Sequence, residues 1–235
     1  YGSSSTMGVG AAVLRAAEDV RGKLARLANL PPDEVEMTEG FIRRRGGAGE
    51  GIPIGEAFRQ AGVRELAGEG RFALPGNAPF EGDGSGTPYA MRTFGAIFVE
   101  VGVDPDLGLL RLRRAVGSYS AGRIINPRTA RSQMTGGIIW GWGKAAMEES
   151  RYEPTLGRWL SKNLAGVAIP VNADIPTDIT IHFVDEFDPH ASPLGAKGIG
   201  ELGATGVAAA VANAVFHATG KRIRDLPITP EKLVS

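Results

Sequence analysis

The sequence predicts an α+β fold in which mixed sheets pack against helices. Three observations carry that prediction. Near the start, Val9, Val13, Ala16, Val20, Leu24 and Leu27 recur at helical 3-and-4 spacing. In the middle, two β-rich runs, 91–103 and 109–119, flank the short turn DPDLG. These segments follow one another in blocks instead of alternating strand with helix, which favours α+β over a parallel α/β sheet.

The first helix is closed by Pro31 and Pro32, since proline cannot continue a helical hydrogen-bond ladder. Residues 34–74 read as short strands, Phe41 to Arg45 and Arg71 to Leu74, around a short helix near Ile54 to Gln60. The Gly- and Pro-rich stretch 77–88 reads as a surface loop. Asn126 and Pro127 then open a long helix running to about Glu149. Its Gly136-Gly137 and Gly141-Trp142-Gly143 interruptions cost helix propensity and point to close backbone packing. Trp140 and Trp142 read as packing residues. The run 179–187 alternates as a strand, and 206–220 reads as a helix apolar nearly all round, hence buried.

Composition excludes several classes. Lys plus Arg (26) balances Asp plus Glu (26), so no global field points to nucleic acid or an anionic membrane. No apolar run approaches the roughly 20 residues that span a bilayer. With no cysteine, the chain itself holds no disulfide, thiolate zinc site or cysteine-held iron–sulfur cluster. Bacterial cytoplasm and periplasm are equally compatible with that. His182, His190 and His217 lack metal-ligand spacing. The chain opens at Tyr1 in a Ser-rich stretch without a start Met or signal region, as expected of a piece of a longer protein.

One motif carries chemistry. Residues 198–203 spell G-I-G-E-L-G, matching the dinucleotide fingerprint G-x-G-x-x-G ahead of a predicted helix, with Asp225 further on. Against a nicotinamide site, the preceding strand does not run straight into the turn, and little chain remains for a second parallel strand. Glycines let backbone approach a ligand closely, and a helix N-terminus favours an anion. At that terminus Glu201 is either an ordinary helix-start glutamate, worth about 0.3–1 kcal/mol, or a general base against a bulky cofactor.

Three segments, in order, favour the general base by resemblance. Residues 195–233 (GAKGIGELGATGVAAAVANAVFHATGKRIRDLPITPEKL) resemble the C-terminal signature of the xanthine dehydrogenase/aldehyde oxidase family of molybdenum hydroxylases, most nearly its bacterial aldehyde oxidoreductase branch. Residues 122–149 are similar to the family helix whose glutamine contacts the cofactor, a role that falls on Gln133. Residues 2–17 are similar to the segment that wraps the pterin, which assigns Gly2, Ser3, Ser4, Ser5 and Thr6 to cofactor binding. The resemblance spans the whole chain, read as 1–235, the C-terminal part of the molybdopterin-binding region of the large subunit.

The resemblance implies the chemistry. Molybdenum is held by the dithiolene of a molybdopterin, in the cytosine dinucleotide form, so a cysteine-free chain suffices. Glu201 takes the proton from the metal's hydroxyl ligand, oxygen comes from water, and hydride leaves an aldehyde or N-heterocycle. Lys197 and Gly198 adjoin the cofactor, although Lys197 could equally lie on the surface. Electrons pass to an iron–sulfur subunit and an FAD subunit, neither group residing in this chain. The remaining N-terminal part of the large subunit supplies other pterin contacts and much of the substrate pocket. Residues 1–235 alone are therefore expected to be inactive and to expose apolar surface. Two other readings stay open: a nicotinamide-binding oxidoreductase using Gly198–Gly203, and a non-catalytic scaffold of the same fold.

Overall fold

The apolar spacing that begins at Val9 folds as α1, Ser5–Leu27. The structure, a computed structural model, describes residues 5–47, 49–73 and 93–234. These fall into two units, one holding the described parts of Ser5–Ala90 with Pro189–Leu194, the other those of Met91–Asp188 and Gly195–Ser235. The loop expected at 77–88 lies outside the described residues.

In the first unit, α1 is followed by β1 (Val35–Thr38), β2 (Phe41–Arg44), β3 (Ile52–Pro53) and α2 (Ile54–Ala61). The strands form an antiparallel sheet in chain order. Leu24, Ala25, Val35, Ile42 and Ala57 make a small core. β1 was not foreseen, because VEMT shows no sustained alternation. The strand expected at Arg71 to Leu74 is corrected: residues 71–73 are irregular and Leu74 lies outside the described residues. Just before them the chain is tied to α1 by side chains instead of a ladder. Asp19 Oδ2 accepts from the Glu69 N–H at 3.0 Å, and Lys23 Nζ donates to the Ala67 carbonyl at 2.7 Å.

The second unit is built on β4 (Phe94–Asp104) and β5 (Leu109–Ser120), the expected hairpin. Its turn is fixed by Asp104 Oδ1, which accepts from the N–H groups of Asp106 and Leu107, each at 3.0 Å. A bulge interrupts the register between Glu100 and Val101. After α3 (Pro127–Ala146) and the small β6–β7 pair (Tyr152–Glu153, Arg158–Trp159), β8 (Asp178–Phe183) joins β5 in parallel, giving the order β4-β5-β8. α4 (Val207–Thr219) and α5 (Pro230–Leu233) complete the unit. α4 packs on β4 and on α3. Tyr119, Met134, Ile138, Trp142, Val207 and Val211 lie in the shared core.

α3 begins where the sequence places it. Asn126 caps it, its side chain accepting from the N–H groups of Arg128 at 3.0 Å and Thr129 at 3.2 Å, and Pro127 follows. Proline suits this position because its missing N–H has no helical partner to lose. Asn126→Ala should lower stability by about 1 kcal/mol, read as a shift of the denaturant midpoint at unchanged slope.

Several details differ from expectation. α3 ends at Ala146, not near Glu149. β8 stops at Phe183, short of 187, because the chain beyond turns toward Gly195. Trp142 is buried but Trp140 is 58% exposed, so only Trp142 packs within this chain. α4 buries one face, Val207, Val211 and Val215, while Phe216 and His217 are exposed. Phe94, Phe98, Trp159 and Leu164 are also exposed, in keeping with the expected apolar surface.

Candidate active site

The site begins with a close approach of backbones. A methyl group placed on Gly137 of α3 would sit 2.8 Å from the backbone carbon of Gly203. One on Gly203 would sit 2.7 Å from the Met134 carbonyl oxygen. Only glycine at both positions lets α3 and the 198–203 turn meet this closely. The pairing fixes the height of Gln133 against the turn, and Gln133 Nε2 donates to the Gly200 carbonyl at 2.7 Å. Gln133 and Glu201, far apart in sequence, thus become neighbours. The amide has the backbone partner that a half-buried glutamine needs, and that partner belongs to the residue before Glu201.

Glu201 is exposed on this turn. Its carbonyl accepts from the Ala204 N–H at 3.0 Å, the Thr205 N–H at 3.2 Å and Thr205 Oγ1 at 2.9 Å. These bonds make a tight local turn and leave the carboxylate unencumbered. The placement corrects one expectation: α4 starts at Val207 with Gly206 as its N-cap, so Glu201 precedes the helix instead of sitting at its terminus. The macrodipole falls off within the first turn and does not explain the position of this carboxylate.

Beside Glu201 lies a cavity of about 550 Å³. The turn forms one wall, with Gly198, Gly200 and Glu201, and β4 forms the other, with Phe94, Gly95 and Ile97. Among the described residues, the backbone N–H groups of 198–203 find no backbone acceptor. Such groups carry a desolvation cost when covered unless a ligand accepts from them. The β4 wall was missed from sequence, since exposed aromatics in a strand carry no signal of which turn they will face. Tyr119, which pairs with Gly95, is fully buried with no partner for its hydroxyl among the described residues, and burial pushes its phenol up to about 12.

Lys197 is neither on the surface nor aimed at the cavity. It is 8% exposed. Its ammonium donates to Glu186 Oε1 at 2.8 Å and Ser120 Oγ at 3.2 Å, and lies 3.6 Å from Asp188 Oδ2. Glu186 also accepts from Ser120 Oγ at 2.8 Å and from the Gly122 N–H at 2.5 Å. Burial raises the Glu186 pKa, but the hydrogen bonds from Lys197, Gly122 and Ser120 outweigh it and hold the carboxyl below its ordinary range. Sequence reasoning missed Glu186, because a pairing across the 188–195 segment leaves no periodic trace.

Ser5 and Thr6 are the first residues of α1, both exposed, in the other unit. Gly2, Ser3 and Ser4 lie outside the described residues. The dinucleotide alternative loses its context. β8 ends at Phe183 without running into Gly198, and no strand follows α4 among the described residues. Also among the described residues, no three His, Cys, Asp or Glu side chains converge to hold a metal directly. The donor set fits a metal that arrives with its own organic ligand. Gly198, Gly200 and Glu201 line the cavity, and among the described residues the 198–203 amides have no backbone acceptor.

Comparison with known proteins shows the family of the chain. The aldehyde oxidoreductase molybdenum-binding subunit PaoC of Escherichia coli (strain K12) is 40% identical over 235 residues, 99% of this chain and 29% of that protein. The 6-hydroxypseudooxynicotine dehydrogenase complex subunit gamma of Paenarthrobacter nicotinovorans is 31% identical over 242 residues, 100% of this chain and 30% of that protein. Among solved structures, the reconstituted CO dehydrogenase from Oligotropha carboxidovorans superposes with a TM-score of 0.76 at 23% identity, over 99% of this chain and 29% of that one, a likeness of fold. The chain therefore spans under a third of the length of the relatives it matches. Residues 1–176 match the molybdopterin cofactor-binding domain, and the chain belongs to that family.

Proposed function

We propose that this chain is the part of a molybdenum hydroxylase large subunit that carries the catalytic base, Glu201. The observation behind it is the carboxylate on the wall of the 550 Å³ cavity, set there by the Gln133–Gly200 bond. Molybdopterin bound at this cavity supplies the two-electron oxidant and activates the water whose oxygen is inserted. Gly198 lines that cavity, Gln133 holds the Gly200 carbonyl of the same turn, and on the family pattern alone Gln133, Gly2, Ser3, Ser4, Ser5 and Thr6 are assigned to cofactor binding.

The reaction converts an aldehyde and water into a carboxylic acid, two electrons and two protons. Glu201, as a carboxylate, accepts one proton at an Oε atom as oxygen adds to the substrate carbon. General bases of this kind contribute about 10²–10⁴-fold. Phe94, Ile97, Ile199 and Leu202 give the cavity its apolar lining beside the carboxylate. The electrons leave toward iron–sulfur and FAD partner subunits. Aldehydes are favoured over N-heterocycles by the relative PaoC, an aldehyde oxidoreductase subunit. Replacement of Glu201 by Gln in the intact enzyme tests the base assignment. The cofactor is proposed to be the cytosine dinucleotide form. Mass spectrometry of nucleotide released by acid from the purified enzyme should show CMP, and its replacement by another nucleotide corrects the form.

A further inference from the structure

We infer that Lys197 and Glu186 are positioning residues that hold the 198–201 turn in register, an inference that rests on the base assignment of Glu201. The segment reaching the turn is tied to the end of β5 by backbone. Gly122 and Ala196 form an antiparallel bridge. The Arg123 N–H donates to the Gly195 carbonyl at 2.7 Å, and the Lys197 N–H donates to the Ala121 carbonyl at 3.3 Å. Those bonds stop at Lys197. The 198–203 amides find no backbone acceptor among the described residues, so the backbone ladder does not reach Glu201.

The Lys197 side chain supplies the last fixed point before the glycines. Its ammonium meets three acceptors: Glu186 and Ser120 by hydrogen bond, and Asp188 as a longer ion pair. Glu186 in turn grips Ser120 and the Gly122 N–H. The pair thus locks three stretches of chain together: the end of β5, the segment after β8, and the approach to Glu201. Lys197 is buried while Glu186 keeps 26% of its side chain exposed; taking the ammonium out of water makes such a pair a costly way to gain stability and a good way to fix geometry. Glu201 sits four positions along a glycine-rich segment from this anchor, where small displacements carry to the reacting atom. A misplacement of about 1 Å costs on the order of 10²-fold in rate.

The test uses the complete holoenzyme with Lys197→Met, Glu186→Gln and the double variant. For each, kcat, KM, molybdenum content and hydrogen exchange of the 198–203 amides are measured. Positioning predicts that Lys197→Met and the double variant lose kcat by roughly 10²-fold, keep molybdenum, and exchange these amides faster. The double variant also removes the Glu186 charge that Lys197→Met leaves unpaired, so it should regain thermal stability without regaining kcat. If it recovers kcat together with stability, the pair only neutralises charge and the inference fails. Loss of molybdenum with unchanged amide exchange would instead make Lys197 a cofactor contact and equally overturn it. The exchange readout does not depend on turnover, so a failure of the Glu201 assignment would show separately as an active Glu201→Gln enzyme.

Discussion

Glu201→Gln in the intact enzyme should abolish turnover, by about 10²–10⁴-fold, while molybdenum and pterin content stay at wild-type levels. Glutamine is nearly isosteric, and the turn is held by the main chain of Glu201, whose carbonyl accepts from Ala204 and Thr205. The substitution therefore removes the proton acceptor without releasing the turn. Steady-state kinetics beside metal analysis separate the outcomes. Because a base acts on the chemical step, kcat should fall with kcat/KM and KM should change little. Retained activity would leave residue 201 a structural member of the turn.

The second large effect concerns neighbouring glycines of α3 and has opposite signs at the two positions. By helix propensity alone, glycine to alanine in a helix interior gains about 1 kcal/mol. Among the described residues, nothing lies within 4 Å of a methyl group placed on Gly136. Gly136→Ala should therefore raise the melting temperature. At Gly137 the same methyl would meet the Gly203 backbone at 2.8 Å and the Ala204 nitrogen at 2.9 Å. Backbone on both sides cannot rotate away, and overpacking of this kind costs about 1–3 kcal/mol. Gly137→Ala should lower the melting temperature and lengthen the Gln133–Gly200 contact, with activity falling alongside. Equal stabilisation by both substitutions, seen in paired thermal melts, would mean that α3 and the turn are not in contact.

Local signals were read from the sequence more easily than long-range ones, for a physical reason. The 3-and-4 spacing after Val9, the Asn126-Pro127 helix start and the DPDLG turn each act through neighbours a few positions away. They are therefore written where they act. The glycines of α3 were legible as close packing, but their partner Gly203 was not. Gln133 and Glu201 were assigned through resemblance, and only the fold explains their adjacency. The helix at 206–220 was legible and matches α4, but Glu201 was assigned to its terminus because Gly198–Gly203 reads as a helix entrance, whereas the chain completes a separate turn before Gly206. The burial of Lys197 was not legible because its acceptors, Ser120 and Glu186, approach from β5 and from beyond β8.

Between Asp188 and Gly195 the chain departs into the other unit and comes back. The two ends of that excursion are clasped, the Asp188 N–H donating to the Gly195 carbonyl at 3.2 Å. Lengthening a loop between fixed ends costs only about 0.6 kcal/mol per doubling. The clasp therefore lets the Glu201 carboxylate keep its address when the length of this stretch changes, whereas exchanges at the buried Ala191 and Ser192 carry a packing cost.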